Sequence, residues 1–296
     1  MIVDAEARTM LRTETDRSEE SVAFRIIKDL AAELSSGELQ LPSLPEVVVL
    51  IRAALDREDC SAEQIADLVA SEPILAGTLL KVANSVIYRR SGSETTSLVT
   101  GIARLGLKLV RSISMQFALQ QLRRAEEFRR IQHLLDPEWE RSRMVAGLCH
   151  ALARRTRRAH PDEMLTLGLV HNIGRIYILS RCGLKMDSTQ GEGAASGLID
   201  DWHPIVGSAI AESWNLPEQA IQAIGQQSTP DEQQDYSHDI NDLLGVAVAI
   251  AAGERNEDVD QEAIMQMPQA ERLGVDADII MAVREDAQEV GEMLAL

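Results

Sequence analysis

Residues 165–179 read LTLGLVHNIGRIYIL, an apolar segment that predicts a buried helix and around which the rest of the chain is interpreted. Two adjacent polar residues, His171 and Asn172, interrupt it between Gly168 and Gly174. An imidazole and a carboxamide are costly to bury without partners, so this pair needs either a hydrogen-bond network or a metal ion. A histidine satisfied by hydrogen bonds inside the core is the simpler interpretation, and a metal ligand is the alternative.

The composition predicts a protein built from packed helices. Hydrophobic residues make up 45% of the 296 residues, which is enough to bury a substantial core, and only 3% are aromatic. Ala, Leu, Ile, Val, Glu and Arg dominate the sequence, and this usage favours helices over strands. We therefore expect an all-α fold.

The cysteines and the N-terminus indicate a soluble protein of the cytoplasm. Cys60, Cys149 and Cys182 are odd in number and lack CxxC spacing, so they predict neither a disulfide framework nor a zinc site. No apolar run approaches the roughly 20 residues of a membrane span. The N-terminus, MIVDAEARTM, carries acids where a signal peptide has basic and apolar regions. We expect a cytoplasmic location and no membrane partner.

The charge is unevenly distributed along the chain. The net charge of -18 argues against a nucleic-acid-binding protein as a whole, because phosphate contacts need clustered Lys and Arg. Residues 104–158 nevertheless hold 13 basic against 5 acidic residues, between two acidic flanks. Solvated helix faces that pair with the acidic parts are the simpler interpretation of this basic middle. It is also the place where an anionic partner would be sought.

Local signals predict where several helices begin and end. Ser61 and Gln64 form an S-x-x-Q capping box. Asn84 and Ser85 interrupt an apolar helix, and we expect both to hydrogen-bond to the main chain at a helix junction. Pro137 follows a capping aspartate and predicts the first turn of a long helix.

Four blocks in this order resemble the motifs of the HDOD domain, a helical signalling-output branch related to the HD metal-dependent phosphohydrolases. They are LPSLPEVV from Leu41, SEPILAGTLLKVANSVIY from Ser71, SLVTGIARLGLKLVRSI from Ser97 and GLVHNIGR from Gly168. The last block resembles the HD signature, with Asn172 where that family has aspartate. The resemblance runs from about Leu41 to about Gln227 and includes HPIVGSAIAESWNLPEQAIQAI, which is similar to the family's tail.

The resemblance implies an HDOD fold in which an N-terminal helical lobe packs on a degenerate HD-type lobe. The boundaries that it implies are an N-terminal helical extension at 1–37, an HDOD domain at 38–230 with lobes at about 38–125 and 126–230, a continuation of the second lobe to 253, and an acidic helical extension at 231–296.

The resemblance also implies a metal site that this chain has largely lost. The ligands of HD phosphohydrolases are an early histidine, the adjacent His-Asp pair and a late aspartate, which hold divalent ions that activate water against phosphate. By resemblance, Arg141 stands at the early histidine and Asn172 at the aspartate of the pair, so that only His171 is kept. No acidic residue occurs between Leu243 and Gly253, the helix where the late aspartate is expected.

His203, in an HPIVG context, completes the degenerate site that the resemblance implies. The QQS segment at 226–228 lacks the additional histidines of the HD-GYP relatives. With both carboxylates missing and Arg141 expected near His171, a divalent cation would be poorly neutralised. We therefore expect no metal, no cofactor and no catalytic residue, and we expect Arg141 to occupy the vacated metal position against a helix formed by residues 165–179.

The function implied is a non-catalytic regulatory domain for signal transduction in a bacterial cytoplasm. Its partners would be other signalling proteins, and a nucleotide is a second kind of ligand that the degenerate pocket could bind. The alternative is a metal-dependent phosphohydrolase with atypical ligands. Nucleic-acid binding through the basic middle is a third interpretation that the overall charge disfavours. The signal, the partner and the oligomeric state are not predicted.

Overall fold

Helices make up every secondary-structure element that the structure describes. The structure, a computed structural model, describes residues 28–29, 32–33, 44–89, 93–185, 194–227, 238–255 and 261–294. No strand occurs in these ranges, so the prediction of an all-α fold is confirmed. The expected N-terminal extension, 1–37, lies almost entirely outside the described residues.

The described ranges hold fifteen α-helices and one 3-10 helix. The α-helices are α1 Glu46–Leu55, α2 Ala62–Val69, α3 Pro73–Ala83, α4 Val86–Arg89, α5 Leu98–Leu105, α6 Leu107–Arg123, α7 Gln132–Thr156, α8 Pro161–Val170, α9 Ile173–Lys185, α10 Ala194–Ser213, α11 Glu218–Gly225, α12 His238–Arg255, α13 Gln261–Met265, α14 Pro268–Leu273 and α15 Ala277–Leu294. The 3-10 helix, Glu126–Ile131, leads directly into α7. Of these helices, none combines the length and the apolar character that crossing a membrane requires.

The chain forms two compact units, each assembled from separated stretches. Unit 1 takes its described residues from Met1–Leu41, Glu126–Trp139 and His171–Gln233, and unit 2 takes its described residues from Pro42–Ala125, Glu140–Val170 and Gln234–Leu296. The break after Ala125 coincides with the expected end of the first lobe, whereas the expected second lobe contributes to both units. The boundaries of the domains stay a prediction.

Short-range signals fix the helix ends of unit 2 largely as the sequence predicts. The Ser61 hydroxyl accepts the Gln64 N–H at 3.3 Å, and the Gln64 side chain accepts the Ser61 N–H at the same distance, which confirms the capping box. The Asn84 amide donates to the Thr95 carbonyl and accepts the Thr95 N–H, both at 2.9 Å. The predicted role of Asn84 is therefore confirmed. The Ser85 hydroxyl is buried without a hydrogen-bond partner in the described ranges, so its predicted bond is not observed.

The long helix α7 begins earlier than the sequence predicts. The chain enters it at Gln132, so that Pro137 lies inside the helix and not in its first turn. The preceding 3-10 helix already leads the chain along a helical path, and α7 therefore needs no new start at the proline. The predicted helix start is wrong for this reason.

The stretch 165–179 forms two helices and not the single helix that its apolar pattern predicts. Helix α8 ends at Val170, His171 and Asn172 form a turn, and α9 begins at Ile173. The carbonyl of Asn172 accepts the Ile176 N–H at 3.2 Å and so starts the second helix. Because both helices are buried, the apolar pattern continues across the break and does not reveal it.

The predicted apolar helix near the C-terminus is confirmed as the central part of α12, and an acid that the sequence analysis passed over precedes it. Asp242 has only 1% of its surface exposed. Both of its oxygens accept hydrogen bonds from the Arg272 guanidinium, at 2.6 and 2.8 Å. A fork of two parallel bonds neutralises the carboxylate and fixes α14 against α12.

We predict that Arg272→Gln lowers the free energy of unfolding by about 3 kcal/mol, because it leaves the buried Asp242 carboxylate without its cation. Arg158→Gln is the matched control, since Arg158 pairs with Asp239 of the same helix at 3.9 Å and both side chains are roughly half exposed. That variant should lose about 0.5 kcal/mol or less. Urea denaturation measures both, and equal losses would contradict the assignment.

Candidate functional site

The His171–Asn172 turn is buried, with 2% and 3% of these residues exposed. The main-chain carbonyl of His171 accepts a hydrogen bond from the Gln227 side-chain amide at 2.8 Å. Gln227 belongs to the QQS segment, so an amide in that segment holds the turn where the HD-GYP relatives are expected to carry histidines. A side-chain donor therefore satisfies the His171 carbonyl, which would accept a main-chain N–H in a continuous helix.

The Asn172 side chain is bonded to a buried carboxylate from α7. Its amide donates to Glu138 Oε2 at 2.7 Å, and Glu138 is 8% exposed. The other carboxylate oxygen, Oε1, accepts from Arg175 Nε at 3.0 Å. A second nitrogen of the Arg175 guanidinium donates to Asp200 of α10. Four side chains, from α7, the His171–Asn172 turn, α9 and α10, thus form one connected network of hydrogen bonds and ion pairs, the Glu138 network.

In the Glu138 network, the Arg175 cation lies between two carboxylates, those of Glu138 and Asp200. Burial lowers the pKa of Arg175, but the neighbouring carboxylates of Glu138 and Asp200 outweigh burial, so its pKa stands above the ordinary value. Arg175 therefore stays charged throughout the physiological range. Asp200 is 57% exposed at its side chain, whereas Glu138 is 11% exposed, so the inner pair carries most of the electrostatic interaction.

The two glycines that bracket the pair permit close helix packing. A Cβ at Gly174 would collide with the main-chain carbonyl of His203 and would lie 2.5 Å from the Gly207 nitrogen, both on α10. In unit 2, a Cβ at Gly168 would lie 2.5 Å from the Cα of Ala146 on α7. At each position the backbones approach so closely that no side chain fits.

Three of the four predicted site residues belong to unit 1 and one belongs to unit 2. His171 and Asn172 form the turn, and His203 is half-buried on α10 with its carbonyl against Gly174. Arg141 is half-buried on α7, three residues after Glu138, in the part of that helix that belongs to unit 2. The expected approach of Arg141 to His171 stays a prediction. Arg175 brings a guanidinium to Glu138, the partner of Asn172.

Sequence reasoning missed Glu138, Arg175 and Asp200. Arg175 is the last residue of the GLVHNIGR block, so the family resemblance already includes it. Nothing in the block shows that this arginine pairs with a buried carboxylate. Glu138 lies three residues before Arg141, and the family resemblance draws attention to Arg141 alone. No spacing rule connects Glu138 with Asn172, which lie 34 residues apart in sequence.

The residues present do not fit a resident divalent metal ion. The carboxylate of Glu138 is already bonded to Asn172 and Arg175, and Asn172 is neutral. A divalent ion beside Glu138 would also be repelled by the Arg175 guanidinium. In the ranges that the structure describes, no group of three or more His, Cys, Asp or Glu side chains is placed to hold a metal ion.

Comparisons with known proteins agree with this architecture. The model of the HDOD domain family matches residues 41–230. An uncharacterized protein of Treponema pallidum (strain Nichols) is 24% identical over 204 residues, and the match covers 66% of this chain but only 39% of that curated relative. The chain thus spans well under half the length of this relative.

Several crystal structures are similar to this chain in fold, and they include the following two. One, from Shewanella amazonensis SB2B, carries the name of a provisional metal-dependent phosphohydrolase and has a TM-score of 0.66 at 19% identity, covering 90% of this chain and 99% of its own. The other, from Marinobacter aquaeolei VT8, is named a provisional signal transduction protein and has a TM-score of 0.59 at 18% identity, covering 94% and 67%. At such identities the likeness shows the fold alone.

We predict that Gly174→Ala lowers the free energy of unfolding by about 3 kcal/mol or more, because the added methyl group would meet main-chain atoms that cannot rotate away. Gly77→Ala is the control, since no atom lies within 4 Å of the Cβ that it would add. It lies inside α3 and should gain up to about 1 kcal/mol from helix propensity. Chemical denaturation compares the two, and a neutral Gly174→Ala would contradict the packing described for α9 and α10.

Proposed function

Since the chain belongs to the HDOD domain family, we propose that it is a non-catalytic signal-transduction module that acts by binding other proteins. The observation that carries the proposal is the Glu138 network, in which Asn172, Glu138, Arg175 and Asp200 are joined by hydrogen bonds and ion pairs. In an HD enzyme, carboxylates at such a site would serve a metal ion. Here the buried carboxylate serves the fold.

A guanidinium supports a fold without supplying metal chemistry. It donates directional hydrogen bonds and a fixed positive charge, so it can hold Glu138 and Asp200 in place. It carries no exchangeable water whose pKa it could lower, and it offers no open coordination position for a phosphate. A site organised by Arg175 is therefore suited to maintaining a structure that partners recognise and unsuited to hydrolysis.

Exposed apolar side chains support the binding of proteins. In unit 2, Val86 on α4 is 87% exposed and Ile74 at the start of α3 is 63% exposed. Val49 and Leu50, adjacent on α1, are each close to half exposed. Apolar side chains in such positions contribute to protein interfaces when a partner covers them. The name of the Marinobacter neighbour agrees with a signalling role.

The alternative is a metal-dependent phosphohydrolase with atypical ligands, which agrees with the name of the Shewanella neighbour. This alternative requires that a metal ion is held by His171 together with residues that do not belong to the Glu138 network. The two functions differ in metal content and in hydrolysis of phosphodiesters, so one preparation of the protein tests both.

We predict that the protein, purified from medium supplemented with Mn, Fe and Zn, contains no stoichiometric metal and does not hydrolyse bis(p-nitrophenyl) phosphate above the level of its His171→Ala variant. Elemental analysis and the release of p-nitrophenol measure the two properties. His171→Ala is the matched control because it removes the one ligand that the family pattern retains. About one ion per chain in the unmodified protein, lost in His171→Ala together with hydrolysis, would favour the enzyme.

A further inference from the structure

A pocket in unit 2 gathers basic and aromatic side chains outside the site described above. Its volume is about 520 Å³, and its lining residues are Ile87, Tyr88, Arg104, His150, Arg154, His160, Pro161 and Asp162. Cavities of about 300–1,000 Å³ hold ligands the size of small organic molecules. Three of these eight residues, Arg104, His150 and Arg154, belong to the basic segment 104–158, which is the part of the sequence that favours an anionic partner. We propose that this pocket binds a nucleoside monophosphate or a closely similar phosphorylated ligand.

One wall of the pocket is fixed by hydrogen bonds before any ligand binds. Arg104 donates to the carbonyls of Ala83 and Ser93, at 2.9 and 3.0 Å. Asn84 binds both main-chain polar groups of Thr95. These bonds hold the ends of the segment that contains α4, which presents Ile87 and Tyr88 to the pocket. A preformed wall spares a ligand the entropic cost of ordering it.

The part of the lining at the start of α8 is also fixed by hydrogen bonds. The Ser112 hydroxyl lies 2.7 Å from the Asp162 carbonyl and 2.6 Å from the Thr166 hydroxyl, and Ser112 and Thr166 are buried. The carboxylate of Asp162 lies 3.7 Å from Nε2 of His150, a residue only 7% exposed. Asp162 therefore projects from an anchored main chain and has a defined position in the pocket.

Two donors in the pocket have no hydrogen-bond partner within the described part of the chain. Arg154 is exposed and makes neither a hydrogen bond nor an ion pair there. The hydroxyl of Tyr88 likewise makes no hydrogen bond there. Burial, with a smaller contribution from Asp162, raises the pKa of Tyr88 to about 12, so this hydroxyl keeps its proton and can donate. Both donors remain available to an anion.

The neighbouring imidazole is arranged as a third donor. The main-chain N–H of Asp162 donates to Nδ1 of His160 at 3.3 Å. In a neutral imidazole that accepts at Nδ1, the proton lies on Nε2. His160 can therefore donate through Nε2 without being charged. Arg154, Tyr88 and His160 together provide the donors that a phosphate with several acceptor oxygens requires.

The acid and the apolar side chains of the pocket select a ligand larger than phosphate. The Asp162 carboxylate only accepts hydrogen bonds, so it matches ligand hydroxyl or amino groups and disfavours a second anion. Ile87 and the Tyr88 ring offer an apolar surface for a planar group, on which bases stack readily. A nucleoside monophosphate has an anionic phosphate for the three donors, hydroxyl groups for Asp162 and a planar base for the apolar surface. This inference does not depend on whether the protein is catalytic.

The test is isothermal titration calorimetry of the full chain with AMP, GMP, guanosine and inorganic phosphate. At least one nucleotide should bind saturably, and about tenfold more tightly than guanosine or phosphate, because each of these lacks part of the complementary chemistry. Arg154→Gln should raise the dissociation constant about tenfold by removing a charged donor. Tyr88→Phe should weaken binding by a smaller factor.

Arg157→Gln is the matched control, since it removes the same charge three residues further on at an exposed position that does not line the pocket. Its affinity should equal that of the unmodified protein. The proposal is overturned if neither nucleotide binds, if phosphate alone binds as tightly as the nucleotides, or if Arg154→Gln and Arg157→Gln have the same affinity. Unchanged melting temperatures of the two variants without ligand exclude unfolding as the cause of a loss.

Discussion

A buried carboxylate that needs a positive partner is the constraint on which unit 1 depends. Glu138 lies on α7 with 11% of its side chain exposed, and a carboxylate in that position is tolerated only when its charge is neutralised and its oxygens are hydrogen-bonded. The Asn172 amide and the Arg175 guanidinium meet this need from two places: the turn after α8 and the first turn of α9. Because Arg175 also reaches Asp200, the same interaction connects α7, α9 and α10.

This arrangement gives a physical account of how an HD-like site could lose its metal and keep its fold. A metal ion bound by residues of several helices fixes those helices together, so its loss must be compensated. Charged hydrogen bonds contribute about 1.5–3 kcal/mol each when buried, and Glu138 accepts two such bonds, from Asn172 and Arg175. The third bond of the Glu138 network, from Arg175 to Asp200, contributes less because Asp200 is more than half exposed. The close contact of Gly174 with α10 adds main-chain packing that needs no ion. The site is held together by its own side chains.

The sequence was sufficient for features whose partners lie nearby along the chain. The Ser61–Gln64 capping box spans three residues, so local rules predicted it in full. The polar Asn84 in an apolar helix predicted bonds to the main chain, which the structure confirms, but not that Thr95 is the partner. The break at His171 was not predicted, because residues on both sides of it are buried and the apolar pattern is continuous. The all-α class follows from composition and the family from ordered motifs, since both depend on many residues at once.

Long-range pairings of charged side chains were beyond sequence reasoning. Glu138 and Asn172 are brought together by the path of the chain, and no periodicity encodes that contact. Asp242 lies just before the apolar part of α12, and its buried pairing with Arg272 depends on the packing of a later helix. The tertiary structure determines which cation pairs with each buried carboxylate.

A double-mutant cycle on Glu138 and Arg175, measured with and without EDTA, tests the central claim most directly. Glu138→Gln, Arg175→Gln and the double variant are compared with the unmodified protein by urea denaturation. The account predicts a coupling free energy of about 1.5 kcal/mol or more, unchanged by the chelator, because the guanidinium itself neutralises the carboxylate. Additive effects within about 0.5 kcal/mol, or a stability that falls with EDTA and recovers with added metal, would contradict it.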